Sequence, residues 1–392
     1  MNNIIVYMLA YILQIRLAHS QKTIIEKYHN LFRGNLIKID LGTPPQFIFS
    51  QIYLKHNFSF TTPYSFKRLS STTYSPEEGT KTIIVEQKEK KVQIFKETLT
   101  LVENKKISIP NFSLYYLENF TELSHEGLAL GRLFENETFS LIHQLYLNKY
   151  ITKKGFGFSE EENESGKGVI YFGNLPQEVT MEKVKGKIYV KDTNDNKWNT
   201  KVTKVLINQG KNDIIEYIPT FNKSYFDVNE NTIYVPESFM FYLNETVFKH
   251  LIQDKYCTFS DRFDTKQYHF ECSCSVIQSF PEITFVIDNI GLTMKNYDLF
   301  EEAFGYCYFL IESNYPEFGD LWIFQTPLIN KLTTFFDYDD NSISFYSNNR
   351  VTIFNILNSN SDYIKIILLT NTLLLCIIFL CLLIIKYYLS KN

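Results

Sequence analysis

Residues 42–57 read GTPPQFIFSQIYLKHN. A Gly-Thr-Pro-Pro turn runs into a segment dominated by apolar residues, with Phe47, Ile48, Phe49, Ile52 and Tyr53 supplying β-branched and aromatic side chains. That is the pattern of a turn followed by a strand. The strand breaks at a polar turn after Leu54, and a second apolar run ends at Pro63. Further along, IPTFNKSYFDVNENTIYVP, ending at Pro236, repeats the order of strand, polar turn, apolar run and proline. Ten residues separate Tyr53 from Pro63, and nine separate Asp227 from Pro236. Two copies of one strand-turn-strand unit predict a duplicated, two-lobed chain whose two turns face each other across a cleft. The copies differ at the turn itself, which holds Tyr53 in the first and Asp227 in the second.

The rest of the chain agrees with a sheet-rich body. Its 392 residues exceed the size at which one core stops growing. Hydrophobic residues make up 45% and aromatic ones 16%, which excludes a disordered chain and favours half-buried strands. Short runs such as NLIKIDL, KGVIYFG, PEITFVID and SISFY are separated by Asn, Asp, Gly and Pro clusters. Helical spacing is confined to 139–148 and to 237–251, the latter with Pro236 as a first-turn residue. The formal charge is -4 and basic residues are dispersed among acidic ones, so nothing points to nucleic acid. No Cys, His and carboxylate cluster has metal-ligand spacing, and no cofactor is implied. His56 and His125 stand alone and read as surface or turn residues.

Both ends read as targeting segments. IIVYMLAYIL at 4–13, followed by Ala18-His19-Ser20, has the form of a signal peptide cleaved after residue 20; a buried first strand or helix is the alternative. Residues 366–385 are nearly unbroken hydrocarbon, long enough to cross a bilayer, and Lys386 and Lys391 follow. The positive-inside rule then puts the body outside the cytosol and the last seven residues within it. A glycolipid-anchor signal is the competitor, but such tails end in the apolar stretch, whereas this chain ends in KYYLSKN. An exported body agrees with seven Asn-x-Ser/Thr sites, at Asn57, Asn111, Asn119, Asn136, Asn163, Asn222 and Asn244. Cys257, Cys272, Cys274 and Cys307 lie in the body and can pair in three ways; Cys376 and Cys381 lie in the apolar span.

Eight segments in one order carry a resemblance. They are LGTPPQ (41–46), SSTTYSP (70–76), TIIVEQKEKKVQIFKETLTL (82–101), EGLALG (126–131), KGVIYFGNLP (167–176), FDVNENTIYVPES (226–238), CSVIQSFPEITFVI (274–287) and LWIFQTPLINKLTTFFDYDDNSISF (321–345). Together the chain resembles a pepsin-like aspartic peptidase. The resemblance implies a mostly β, bilobal fold: two β-barrel-like lobes around a central cleft, here with one C-terminal transmembrane helix added. The expected division is a signal peptide over 1–20, an N-terminal lobe over 21–190, a C-terminal lobe over 191–354 with a hinge near 191–197, a stalk over 355–363, the membrane helix over 364–385 and a cytosolic tail over 386–392. It implies a disulfide between Cys274 and Cys307 and leaves Cys257 to Cys272.

The chemistry implied by the resemblance is incomplete in this sequence. Peptidases of this kind activate water between two carboxylates that share one proton, because like charges about 3 Å apart cannot both ionise. The first acid position is Tyr53, and the following Thr, Gly and Ser become Leu54, Lys55 and His56. Asp40, upstream of GTPPQ, is the sole aspartate in the first 190 residues. The second acid survives as Asp227, followed by Val228 and Asn229. At the flap, Val85 stands where the family has a Tyr, and Glu86 follows it. These replacements predict a pseudo-enzyme whose cleft binds a peptide or protein partner, with a hydrogen bond from the Tyr53 hydroxyl to Asp227. An active endopeptidase relying on Asp227 and a non-enzymatic surface glycoprotein with a filled cleft are the alternatives; Asp227 serving only its own turn is the simplest role for that residue. The expected setting is a single-pass membrane protein of the secretory pathway or cell surface, a monomer by default.

Overall fold

The computed structural model describes residues 23–355 except 32–33, 57, 86–87, 104–106, 118–125, 133–138, 161–166, 177–183, 191–196, 211–212, 263–265, 317–318 and 347–351. The expected signal peptide, membrane helix and tail, most of the stalk and of the hinge, Glu86, His125, and the sites Asn57, Asn119, Asn136 and Asn163 therefore lie outside the described residues. No helix among the described residues is long and apolar enough to cross a membrane.

The chain is mostly strand. The opening motif folds as read: strand Gly34–Leu41 pairs antiparallel with strand Gln46–Tyr53 through the turn at 42–45. Gly42 makes that turn with φ +88, and a Cβ there would stand 2.8 Å from Ser71 Oγ, so the position needs glycine on both counts. The duplication read in the sequence is realised in the pairing. In the first half, Gln46–Tyr53 runs parallel to Glu126–Ala129, Phe60–Thr61 runs parallel to 115–116, and Phe60 meets Gly127 antiparallel. In the second half, Lys223–Phe226 runs parallel to Trp322–Phe324, Ile233–Val235 runs parallel to Ile311–Ser313, and Tyr234 meets Ile323 antiparallel. Gly127 is required because the Phe60 ring lies where its Cβ would be.

The halves share a sheet. Strand Gly155–Glu160 of the first half pairs with Thr333–Asp337 of the second, and Gly186–Tyr189 pairs with Ser342–Tyr346. Aromatic side chains knit this seam: Phe156 stacks on Phe336 at 4.8 Å, and Trp198 packs edge-on against Phe336 at 5.1 Å. The paired Val85 and Lys88 confirm the expected flap hairpin, Ser75–Val85 with Lys88–Leu101, in its backbone.

Two helix expectations are refined. The first becomes Leu141–Leu147, capped by Ser140, whose hydroxyl accepts from His143 N–H. The region 237–251 forms two helices, Glu237–Thr246 and Lys249–Gln253, and Pro236 occupies the N-cap rather than the first turn. Both disulfides form as the resemblance implied, Cys257–Cys272 and Cys274–Cys307. Cys257 and Cys272 are directly opposed on strands Cys257–Asp261 and Tyr268–Cys272, which, with Phe300–Ala303 and Tyr306–Phe309, form a small four-stranded sheet.

Candidate functional site

The two turns that follow the duplicated strands meet. Leu54 N–H donates to Asp227 Oδ1 at 3.1 Å across a sequence separation of 173. Asn35 N–H donates to the Val228 carbonyl at 3.1 Å, Gln51 Nε2 donates to the Asn229 carbonyl at 2.8 Å, and the amides of Asn35 and Asn330 exchange two hydrogen bonds of 3.2 Å. Leu54 and Val228 are fully buried and carry no hydroxyl; here the turns are joined by backbone and amide groups instead.

Asp227 is 1% exposed, so its charge must be matched by donors. Four are in place. Oδ1 accepts from Leu54 N–H and from Val228 N–H at 2.9 Å. With the Asn229 amide oriented to satisfy both its ends, its NH2 donates to Oδ1 and to Oδ2, the latter at 2.8 Å, and its oxygen accepts from Lys55 Nζ at 3.0 Å. Lys55 Nζ itself stands 3.6 Å from Oδ2. Both oxygens of the carboxylate thus accept from groups of this chain, and the side chain facing Asp227 from the first turn is an ammonium.

Tyr53 goes elsewhere, and the expected bond to Asp227 is corrected. Its one hydroxyl proton is donated to Gln51 Oε1 at 3.0 Å, and an ionised carboxylate can only accept. Its ring is 4% exposed and belongs to a buried cluster with Phe58, Phe60, Val92, Tyr115, Leu117 and Phe139. The reason lies in the sequence after the turn: Phe58 and Phe60 present aromatic faces that a tyrosine fills better than a solvent-facing position would.

His56, read as a surface or turn residue, packs against Tyr53 with ring centroids 4.9 Å apart and against Phe58 at 5.4 Å. Burial, with the Lys55 and Lys197 cations adding to it, pushes its imidazole down to about 3, so it is neutral at ordinary pH. Lys197 Nζ lies over the Tyr225 ring at 4.6 Å. Lys55 therefore stands against Asp227 and Lys197 over Tyr225, and both cations act on His56.

Of the remaining expected site residues, Val85 ends its flap strand, and only its backbone is described. Among the candidate glycosylation sites, Asn111, with φ +57, and Asn222 are exposed, whereas Asn244 is half-buried in helix Glu237–Thr246. No group of three or more metal-ligating side chains occurs among the described residues. The sequence reading missed Gln51, Asn229 and Lys55 as partners. Lys55 carried a signal, since a long cation standing where a turn glycine is expected can reach an acid on the facing turn.

Residues 37–347 match the family model described as eukaryotic aspartyl protease. The match covers most of the chain, and the protein belongs to that family. A search of curated proteins finds no match.

Proposed function

We propose that this protein is a catalytically inert, membrane-anchored member of the eukaryotic aspartyl protease family that uses the groove between its lobes to bind a peptide or an extended segment of a protein partner. One observation carries the reading: the group opposite Asp227 is the Lys55 ammonium, 3.6 Å away, where acid-base hydrolysis needs a second carboxylate. A carboxylate pair works by sharing a proton between an acid and a base. An aspartate facing a lysine and an amide has no second carboxylate with which to share a proton, and loss of one member of a catalytic pair removes most of the rate.

The anchoring and the setting rest on sequence together with the two disulfides. Residues 366–385 supply the span and Lys386 and Lys391 its cytosolic flank. Cys257–Cys272 and Cys274–Cys307 suit an oxidising compartment, which supports a body in the lumen of the secretory pathway or outside the cell. The test is incubation of the purified chain with an unfolded protein between pH 3 and pH 7. Intact substrate at all pH values is the expected result; cleavage that disappears in Asp227→Ala would overturn inertness.

A further inference from the structure

The sheet that joins the halves has a second face. Phe336 and Phe345 point inward from it and pack on Phe226, the residue before Asp227. Their strand neighbours Phe335, Ser344 and Tyr346 therefore point outward, away from the meeting turns. Lys187 of the first half stands opposite Ser344, Ser344 opposite Phe335, and Phe335 opposite Gly157 of the first half. One row of opposed residues thus crosses the seam, and along it lies a cavity of about 220 Å³ lined by both halves.

The floor of the cavity is apolar. The Phe335 ring lies across Gly155 and Gly157, where an added Cβ would meet it at 2.5 and 3.2 Å, and it packs with Leu175 and Tyr346. The sides are polar. Lys153 Nζ pairs with Asp337 Oδ2 at 2.7 Å, and Lys187 Nζ pairs with Asp340. The Ser344 and Tyr346 side chains complete the lining. These residues are 6% and 9% exposed, yet neither hydroxyl has a hydrogen-bond partner among the described residues. Buried hydroxyls are ordinarily paired, so these two call for a partner from whatever fills the cavity.

The chemistry of that occupant follows from the lining. Two ammonium groups face two carboxylates, which leaves no net charge to draw in an ion. What remains is a set of donors and acceptors side by side: the spare N–H groups of the lysines, both hydroxyls and the carboxylate lone pairs. A complementary ligand must donate and accept at several points around an apolar ring, which is what the hydroxyls of a saccharide do. The volume sets the size. It falls below the roughly 300–1,000 Å³ of sites for drug-sized ligands and equals the liquid volume of about seven waters, so it suits one sugar ring.

We propose that this cavity on the outer face of the shared sheet binds a single pyranose, free or at the end of a glycan. Phe335 and the Tyr346 ring lie under the sugar, and the Ser344 and Tyr346 hydroxyls and the two lysine–aspartate pairs hold its hydroxyls. Because both halves line the cavity, a bound sugar clasps them across the seam.

The experiment uses the full-length chain in lipid nanodiscs and saturation-transfer NMR titrations of glucose, galactose, mannose and N-acetylglucosamine, each as the free sugar and as its methyl glycoside, with acetate as the anionic control. At least one of the four sugars is expected to bind saturably. Equal binding of its methyl glycoside assigns the end of a glycan; binding of the free form alone assigns a free monosaccharide. Ser344→Ala and Tyr346→Phe are each expected to weaken binding about three- to tenfold, as loss of one neutral hydrogen bond implies. Both should leave the melting temperature of the unliganded protein unchanged, since neither hydroxyl has a partner in the chain to lose. Val184→Trp, at an exposed position on the lining, is expected to abolish binding by filling the cavity, and it decides the matter should a hydroxyl variant fail to fold. No saturable binding of any sugar, saturation by acetate alone, or binding undiminished in Val184→Trp overturns the site.

Discussion

The turn after Gln46–Tyr53 and the turn after Lys223–Phe226 occupy equivalent places in the duplicated fold, yet their side chains are held by different forces. The first is held from behind. Tyr53 is sunk in the aromatic cluster of its own half, with Phe58, Phe60 and Tyr115 around it, and the contributions are burial and ring packing. The second is held from the front, through a buried carboxylate whose donors come partly from the other half of the chain. The difference shows that a duplicated scaffold can keep its backbone crossing while losing the symmetry of its chemistry. Crossing needs only an N–H from one turn and an acceptor on the other, whereas water activation needs a carboxylate on each.

The comparison is broken most severely at Asp227. Asp227→Ala leaves the Leu54 and Val228 N–H groups and the Asn229 NH2 without their acceptor and removes the countercharge of Lys55, and a loss of about 3–5 kcal/mol in urea unfolding is expected. Tyr53→Phe removes one hydrogen bond to Gln51 and leaves the ring in place, for about 1 kcal/mol. Equal costs for the two would mean that the turns are not held differently after all.

Next in size is the pH dependence contributed beside the second turn. Burial, with the Glu230 charge adding to it against the opposing pull of Arg262, raises the Glu312 carboxyl from 4.5 to about 7. Between those values the folded state keeps a proton that the unfolded chain gives up. The contribution is full below about pH 4.5 and is lost as pH rises through 7, a decline on the order of 2–3 kcal/mol. Glu312→Gln should remove that decline, which melting curves taken from pH 4.5 to pH 8 would register.

Lys55→Gln tests the facing cation. Lys55 keeps some solvent access, with a side chain 25% exposed, so screening limits the cost to about 1–2 kcal/mol. Raised salt should narrow the gap between variant and wild type.

A pH effect of the opposite sign to that of Glu312 sits beside the first turn. The His56 imidazole is depressed from 6.5 to about 3 by burial and by Lys55 and Lys197. The unfolded chain therefore binds a proton that the folded chain refuses, so stability is full above about pH 6.5 and declines as pH falls toward 3. His56→Phe should flatten the acid side of the stability profile and leave its neutral side unchanged, as followed by acid titration of the near-ultraviolet circular dichroism signal.

Much of this was legible before folding was considered. GTPPQ with the alternating strand after it, the repeat ending at Pro63 and Pro236, and the eight ordered segments placed the chain in its family, because turn glycines and prolines and strand periodicity are local demands of the backbone. The disulfide pairing followed from the resemblance. The direction of the Tyr53 side chain was not legible, since it depends on Phe58, Phe60, Tyr115 and Phe139, which are gathered from separate strands. His56 does lie in the turn, as read, and is half-buried there, but its packing on Tyr53 and Phe58 was not legible, because folding alone brings those rings together. The split of 237–251 into two helices likewise follows from packing, with Phe248 buried against Phe270 at 3.7 Å exactly where the helical run is interrupted.

The amino-acid sequence by itself determined that the first turn has no aspartate to offer, because no fold can supply a functional group that the chain lacks at that place. What stands opposite Asp227 in its stead was decided by tertiary structure alone. Lys55 and Asn229 become partners of one carboxylate only when two turns far apart in the chain are brought within hydrogen-bond reach, and that distance is set by the sheet and core that join the halves.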